Sequence, residues 1–351
     1  MPRGQSFGRR VRITVGNIVV TDIDPAAPEQ SVRRSLDCTF STEAHTKLEP
    51  LATEVVVFGL NKVTRDALLQ QQKAAASQAW NEYQKVLTGA VLIEPEQAVQ
   101  VQQQLVFQGL QVRIEAGYVG DFGLIANATT MPDGIKHKWT GGGWVTTIKA
   151  QDGRYPWQNG FVNEPIAPGV TLRDMDLITQ LSEGFLDGTI AAAVIEQKVP
   201  ELLVRKDFAG YINGGILSGQ TRNIRDEIAN ALGFTAFFDR GALVYLDLNA
   251  VTQAEAVLLM EKGPAGPVPK PTPGGLLEWE EQSRGYITAR TLLNHNLTAG
   301  RQVIMQDRFG APIGEGVFRV DHVRHVGSAI EAAFNSEALL RPTNIPQALN
   351  V

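Results

Sequence analysis

Leu292–Val326, LLNHNLTAGRQVIMQDRFGAPIGEGVFRVDHVRHV, is the stretch on which the fold turns. A polar turn at Asn294–Asn296 and a second turn at Ala299–Gly300 precede a short alternating run, Arg301–Met305. The loop RFGAPIGEG leads into another run, in which Val317, Arg319, Asp321 and Val323 oppose Phe318, Val320, His322 and Arg324. Two period-two runs joined by a Gly/Pro-containing loop read as a β-hairpin. Nothing in it is arranged for chemistry. It reads as part of a small barrel or sheet made to be joined to something else.

The N-terminal part carries the same signature. Arg12–Val15 and Ile18–Thr21 flank Gly16-Asn17, a hairpin turn. Leu36–Thr42 sets Leu, Cys and Phe against Asp, Thr and Ser, so Cys38 is expected to be a buried structural thiol. Glu54–Phe58, EVVVF, is nearly continuous and reads as a strand buried on both faces. Asn61 or Thr64 is placed to cap a helix starting near Arg65, since a side-chain oxygen there accepts an otherwise orphaned N–H. Residues 65–88 lack Gly and Pro, and twelve glutamines fall between 70 and 111, which reads as an ordered helical insertion at about 65–110. Short strands follow at Val112–Tyr118, Leu124–Thr130 and Val145–Lys149, with turns at Asp121–Gly123 and Pro132–Gly134. WTGGGW, Trp139–Trp144, reads as a glycine loop between two aromatic anchors.

Further along, Thr171 and Ser218 or Thr221 are positioned to cap amphipathic helices. Phe234–Phe238 and Leu243–Leu248 form a hairpin about Asp239–Gly241, and Ala254–Met260 reads as a short helix. GPAGPVPKPTPGG, Gly263–Gly275, has five prolines in thirteen residues and is a connector. Glu278–Thr291 resumes strand character. The expected fold is mainly β with an α+β middle. Residues 1–155 are one β-barrel-like domain, 156–262 the middle domain, 263–275 the linker and 276–351 the second β-barrel-like domain with its tail.

At 351 residues the chain is long enough for two or three cores, and 43% hydrophobic with 20% charged residues is a globular composition. A net charge of −5 lacks the basic footprint of a general nucleic-acid binder. One cysteine excludes an intrachain disulfide and a Cys-based zinc cluster, and fits folding in a reducing cytosol. MPRGQSFGRRVRITVG has no apolar core of a signal peptide, and no apolar window reaches membrane-spanning length.

Chemistry is sparsely encoded. His322 and His325 form H-x-x-H, but residues three apart on a strand face opposite ways and make a poor chelate. Gly141–Gly143 lacks the Lys-Ser/Thr of a phosphate loop. Glu183/Asp187 and Glu278/Glu280/Glu281 read as solvated faces rather than paired acids. No catalytic residue, metal or cofactor is expected.

Four stretches in order resemble one family: EVVVFGLNKVTRDAL, VRIEAGYVGDFGLIANATT, VTTIKAQDG and LNHNLTAGRQVIM…GVFRVDHVRHVGS. The chain resembles the baseplate or tail-tip hub proteins of tailed bacteriophages, the late-control protein D group and the hubs of contractile injection systems. Two departures stand out: residues 72–110 are longer and richer in Gln than the family's turn, and Asn296 stands where the family has Pro. The resemblance implies a homotrimer whose two barrel-like domains per subunit form a pseudo-sixfold ring. Such a ring adapts a sixfold tail tube or distal tail ring protein to a threefold central spike protein and lines the DNA channel. Further partners would be the tape measure protein and the baseplate wedge, and the location would be the virion tail, assembled in the host bacterial cytoplasm. Trp80, Tyr83, Trp139 and Trp144 are the candidate interface residues, since exposed aromatics anchor interfaces. The alternatives are a tail-associated peptidoglycan or glycan hydrolase and a non-viral β-rich binding module.

Overall fold

The computed structural model describes residues 8–33, 37–46, 52–87, 109–151, 161–166, 215–220, 223, 234–240, 242–247, 251–252, 254–261, 275–328 and 333–343; the side chains of 76–87, of 161–166 and of some other residues, most of them within 215–247, are outside that description. The protein is mainly β. The first group of strands is β1 (Arg9–Val15), β2 (Ile18–Ile23), β3 (Val32–Arg33), β4 (Asp37–His45) and β5 (Ala52–Phe58). Helix α1 (Lys62–Leu87) follows, then β6 (Gln111–Tyr118), β7 (Asp121–Thr140) and β8 (Gly143–Gln151). Two pairs come next, β9 (Phe161–Ile166) with β10 (Gly215–Gln220) and β11 (Phe234–Asp239) with β12 (Ala242–Asp247). The last group is β13 (Val257–Met260), β14 (Leu276–Glu281), β15 (Ile287–Leu292), β16 (Gln302–Gln306), β17 (Pro312–Ser328) and β18 (Phe334–Pro342).

Both ends of the chain enter a single 14-stranded sheet in the order β14-β15-β18-β17-β4-β5-β8-β7-β6-β1-β2-β3, with β13 and β16 attached through β17. Its pairings are antiparallel except β13–β16, which is parallel. Two long strands, each with an irregularity in its pairing, make this possible. β7 pairs with β6 up to Thr129 and with β8 from Thr129 onward, with an irregularity in the β8 ladder between Thr130 and Ile135. β17 pairs with β16 around Val317–Arg319 and, beyond a bulge between Val320 and His322, with β4 from His322↔His45 to Ser328↔Thr39. An extra residue bends a strand and raises its twist, so one strand serves two partners.

Each group encloses its own core. Val11, Ile13, Phe40, Val55, Val57, Ile114, Ile148 and Leu68 of α1 form the first; Leu259, Ile287, Val303, Met305, Phe318, Val320 and Leu340 form the second. In the second group the outer strands β13 and β14 meet through one isolated bridge, Glu261↔Leu276. No continuous ladder closes either group into a barrel among the described residues.

The opening stretch ties the cores together. Leu293 is buried in the first core, Leu297 in the second, and Ala299 against Phe237, Val244 and Leu246 of the β11–β12 hairpin. Its turn is held by polar side chains: Asn294 Oδ1 accepts from the Asn296 N–H (2.9 Å), and Asn296 Oδ1 accepts from Arg301 (3.2 Å). A side-chain oxygen that accepts the N–H two residues on fixes the backbone of such a turn.

Several expectations need correction. Ala254–Met260 is not a helix: Val257–Met260 is β13, laddered on Val303–Gln306. Ala, Glu, Leu and Met favour a helix locally, but burial of Val257 and Leu259 beside β16 overrides that preference. EVVVF is not buried on both faces: Val55 and Val57 are buried while Glu54 and Phe58 are exposed, because only one face is covered. Pro132–Gly134 does not end a strand; it is the irregularity inside β7, with Asp133 at φ 52°. The β6–β7 turn is Val119–Gly120, not Asp121–Gly123. Ser218 lies in β10 rather than at a helix start, and the helix expected after it lies, but for residue 223, outside the described residues, whereas three local readings hold. Val15↔Ile18 closes the first hairpin, Cys38 is buried, and Asn61 Oδ1 accepts the Thr64 N–H at 2.8 Å to cap α1. Glu183, Asp187, the Thr171 helix, the 263–274 linker and the Gln-rich run beyond residue 87 lie outside the described residues.

Candidate interaction surfaces

The seam between the two strand groups is polar. His325, buried on β17, sits at the centre of a closed relay. Its Nε2 lies 3.1 Å from the Leu297 carbonyl, which only accepts, so Nε2 carries the proton. Nδ1 then accepts from Ser336 Oγ at 2.8 Å, and Ser336 Oγ accepts the Asn294 N–H at 3.0 Å. Burial pushes the imidazole pKa down to about 3, so the ring is neutral. His322 lies on the opposite, outer face, 3.8 Å from Glu43 and with its ring centroid 6.1 Å from that of His45. The two histidines therefore do not converge on a ligand. Among the described residues no cluster of three or more His, Cys, Asp or Glu is arranged to hold a metal.

One buried cation also lies here. Arg319 donates to Asp321 Oδ1 from Nε (2.9 Å) and lies 2.8 Å from it through a second nitrogen, with Arg341 3.5 Å from the same carboxylate. Burial pushes the Arg319 pKa down and Asp321 opposes it. On the other flank the Tyr118 ring meets Phe334 edge-on at 5.3 Å, and Arg9 stacks on Phe334 at 5.0 Å. His295 lies so close to Gly123 that a Cβ there would stand 2.2 Å from its Cδ2. Burial lowers the His295 pKa first; Asp121, 3.4 Å away, acts against it, while Arg240 and Arg301 add to the lowering.

Among the described residues the exposed tryptophans lie on two surfaces. At the tip of the β7–β8 hairpin, Trp139 and Trp144 are cross-strand partners with ring centroids 5.6 Å apart, 62% and 36% exposed. They continue the row of Ile135, His137, Thr146 and Ile148, so the hairpin carries the core-facing side of the sheet out beyond the core. Arg65 of α1 stacks on Trp144 at 4.2 Å while donating to the Leu60 carbonyl at 2.7 Å. The second surface is β14, where Leu277 is 52% and Trp279 38% exposed beside Glu278, Glu280 and Glu281. Trp279 Nε1–H donates to Glu261 at 2.7 Å across the seam with β13.

Of the four aromatics singled out in the sequence, Trp139 and Trp144 come together at one tip. Trp80 and Tyr83 lie on the α1 backbone, but their side chains are outside the described residues. Leu277 and Trp279 were missed. LLEWEE shows no clean alternation, and only its place at the sheet edge reveals the exposure.

No family model and no curated relative matches the chain. Among solved structures it is similar to a tail protein from Neisseria meningitidis, with 10% identity, a TM-score of 0.50, and 96% of this chain and 97% of that chain covered. It is also similar to the 43 kDa tail protein of prophage MuSo2 from Shewanella oneidensis, with 10% identity, a TM-score of 0.51, and 95% and 99% covered. At that identity the correspondence is one of fold, and it runs nearly end to end in both chains.

Proposed function

We propose that this chain is a structural component of a phage-type tail, acting as its hub. The observation that carries the reading is the end-to-end fold correspondence with two tail proteins, which leaves no large part of either chain unmatched. In this reading three copies form a ring, and the two strand groups of each copy supply six similar units. The ring meets a sixfold tail tube on one side and a threefold spike on the other, with DNA passing through its centre. The role is that of a scaffold rather than an enzyme, and the location is the virion tail. Joining the groups through β4 and β17 suits such a part, because a load on one is passed to the other through backbone hydrogen bonds.

Light scattering on the purified chain, alone and mixed with the tube and spike proteins of the same tail, tests the reading. The expected result is a species of three times the chain mass, seen by negative-stain imaging as a threefold ring with an axial hole. A chain that stays monomeric in every mixture ends it.

A further inference from the structure

The two tryptophan-bearing surfaces are opposite in charge. From Gly134 to Gln151 the β7–β8 hairpin contains Lys136, Lys138 and Lys149 and no acidic residue. β14, LLEWEE, contains three glutamates and no basic residue. Lys136 and Lys138 are exposed and face away from the tryptophans. Glu280 and Glu281 are exposed at the far end of the edge strand. Neither pair is engaged in an ion pair among the described residues. Lys149, by contrast, is 3.9 Å from Glu54, and Glu278 is 2.9 Å from Arg290.

β14 is also an edge. Among the described residues Glu278–Glu281 pair with β15 on one side only, and Leu277 falls at a register shift. An exposed edge strand invites wrong partners, and charge is a common protection against them. A row of glutamates repels acidic and apolar edges while leaving the site open to a basic partner. Six strand-to-strand steps separate β14 from β8 along the sheet, so the complementary surfaces sit on different strand groups of one chain. A contact between different patches of identical copies is heterologous, and it closes into a ring when the rotation allows.

We propose that the β7–β8 hairpin of one copy docks on the β14 edge of the next. Trp139 packs against Leu277 and Trp279 on one face, and Lys136 and Lys138 lie on the other beside Glu280, with Glu281 at the end of the strand. This deepens the hub reading and rests on it, since it names the contact that builds the ring.

The experiment reads mass by light scattering at several salt concentrations. Lys136→Glu with Lys138→Glu, and separately Glu280→Lys with Glu281→Lys, each place like charges across the contact. Each should weaken self-association by about tenfold or more. The chain carrying all four changes restores opposite charges and should return to the wild-type mass, which a merely unfolded variant does not do. Mixing the two double variants should not restore an odd-numbered ring, because opposite charges then require the copies to alternate. Double variants that keep the wild-type mass overturn the docking proposal and leave the hub reading standing. A wild-type chain that is monomeric throughout overturns both.

Discussion

Gly327 of β17 lies directly opposite Phe40 of β4, and a Cβ on that glycine would stand 2.3 Å from Phe40 Cζ. The ring of a first-core residue thus lies across the backbone of a strand from the other end of the chain. Gly327→Ala forces the buried ring to move, and overpacking of this kind costs about 1–3 kcal/mol. Denaturant melts should show that loss. Gly327→Ala combined with Phe40→Leu should recover part of it, giving a non-additive cycle as expected for touching residues.

The seam also makes stability depend on pH. The His325 pKa falls from 6.5 to about 3 on folding, because burial disfavours the charged ring. A depressed folded pKa means that the unfolded chain binds the proton more readily. The stabilisation is therefore complete above pH 6.5 and is lost as pH falls from there toward about 3. Within that window one proton contributes a slope of about 1.4 kcal/mol per pH unit. Thermal melts between pH 7 and pH 4 should record it, and His325→Gln should flatten the slope while lowering stability at pH 7.

Asp321 holds Arg319 where water cannot. Its replacement by Ala leaves a buried guanidinium without its carboxylate, a loss of about 3–5 kcal/mol in comparable pairs. Arg319→Met removes the charge itself and should cost less than Asp321→Ala. Equal losses from the two, measured by urea unfolding, would mean that Arg319 is not stabilised chiefly by Asp321.

The two tryptophans of the hairpin tip should separate stability from assembly. Trp139 is largely exposed, so Trp139→Ala should shift stability by no more than about 0.5 kcal/mol while weakening self-association. Arg65→Ala removes the stack on Trp144 and the bond to Leu60 O, and should cost about 1 kcal/mol in thermal stability.

Asn61 caps α1 through one 2.8 Å bond to the Thr64 N–H. Asn61→Ala should cost about 1 kcal/mol, whereas Asn61→Asp should be nearly neutral. Circular dichroism during thermal unfolding distinguishes the two.

Short-range chemistry was legible without coordinates. The Gly16-Asn17 turn, the alternation of Cys38 and Phe40, the Asn61 cap and the Asp239–Gly241 hairpin each depend on a few neighbouring residues, and the structure has them all. So does the opposition of His322 and His325, which follows from the period of a strand. What the sequence left open is pairing at a distance. The Thr46 N–H donates to the Asp321 carbonyl across 275 positions, and no local pattern says that β4 will choose β17. The same limit misread Ala254–Met260, whose neighbour β16 lies some forty residues on, and left β18 without an assignment. Leu292–Val326 shows both sides. Its turns and alternation alone made it a hairpin. That Leu293, Leu297 and Ala299 enter three different cores was decided by tertiary structure, because burial depends on which surfaces the rest of the chain brings to each side.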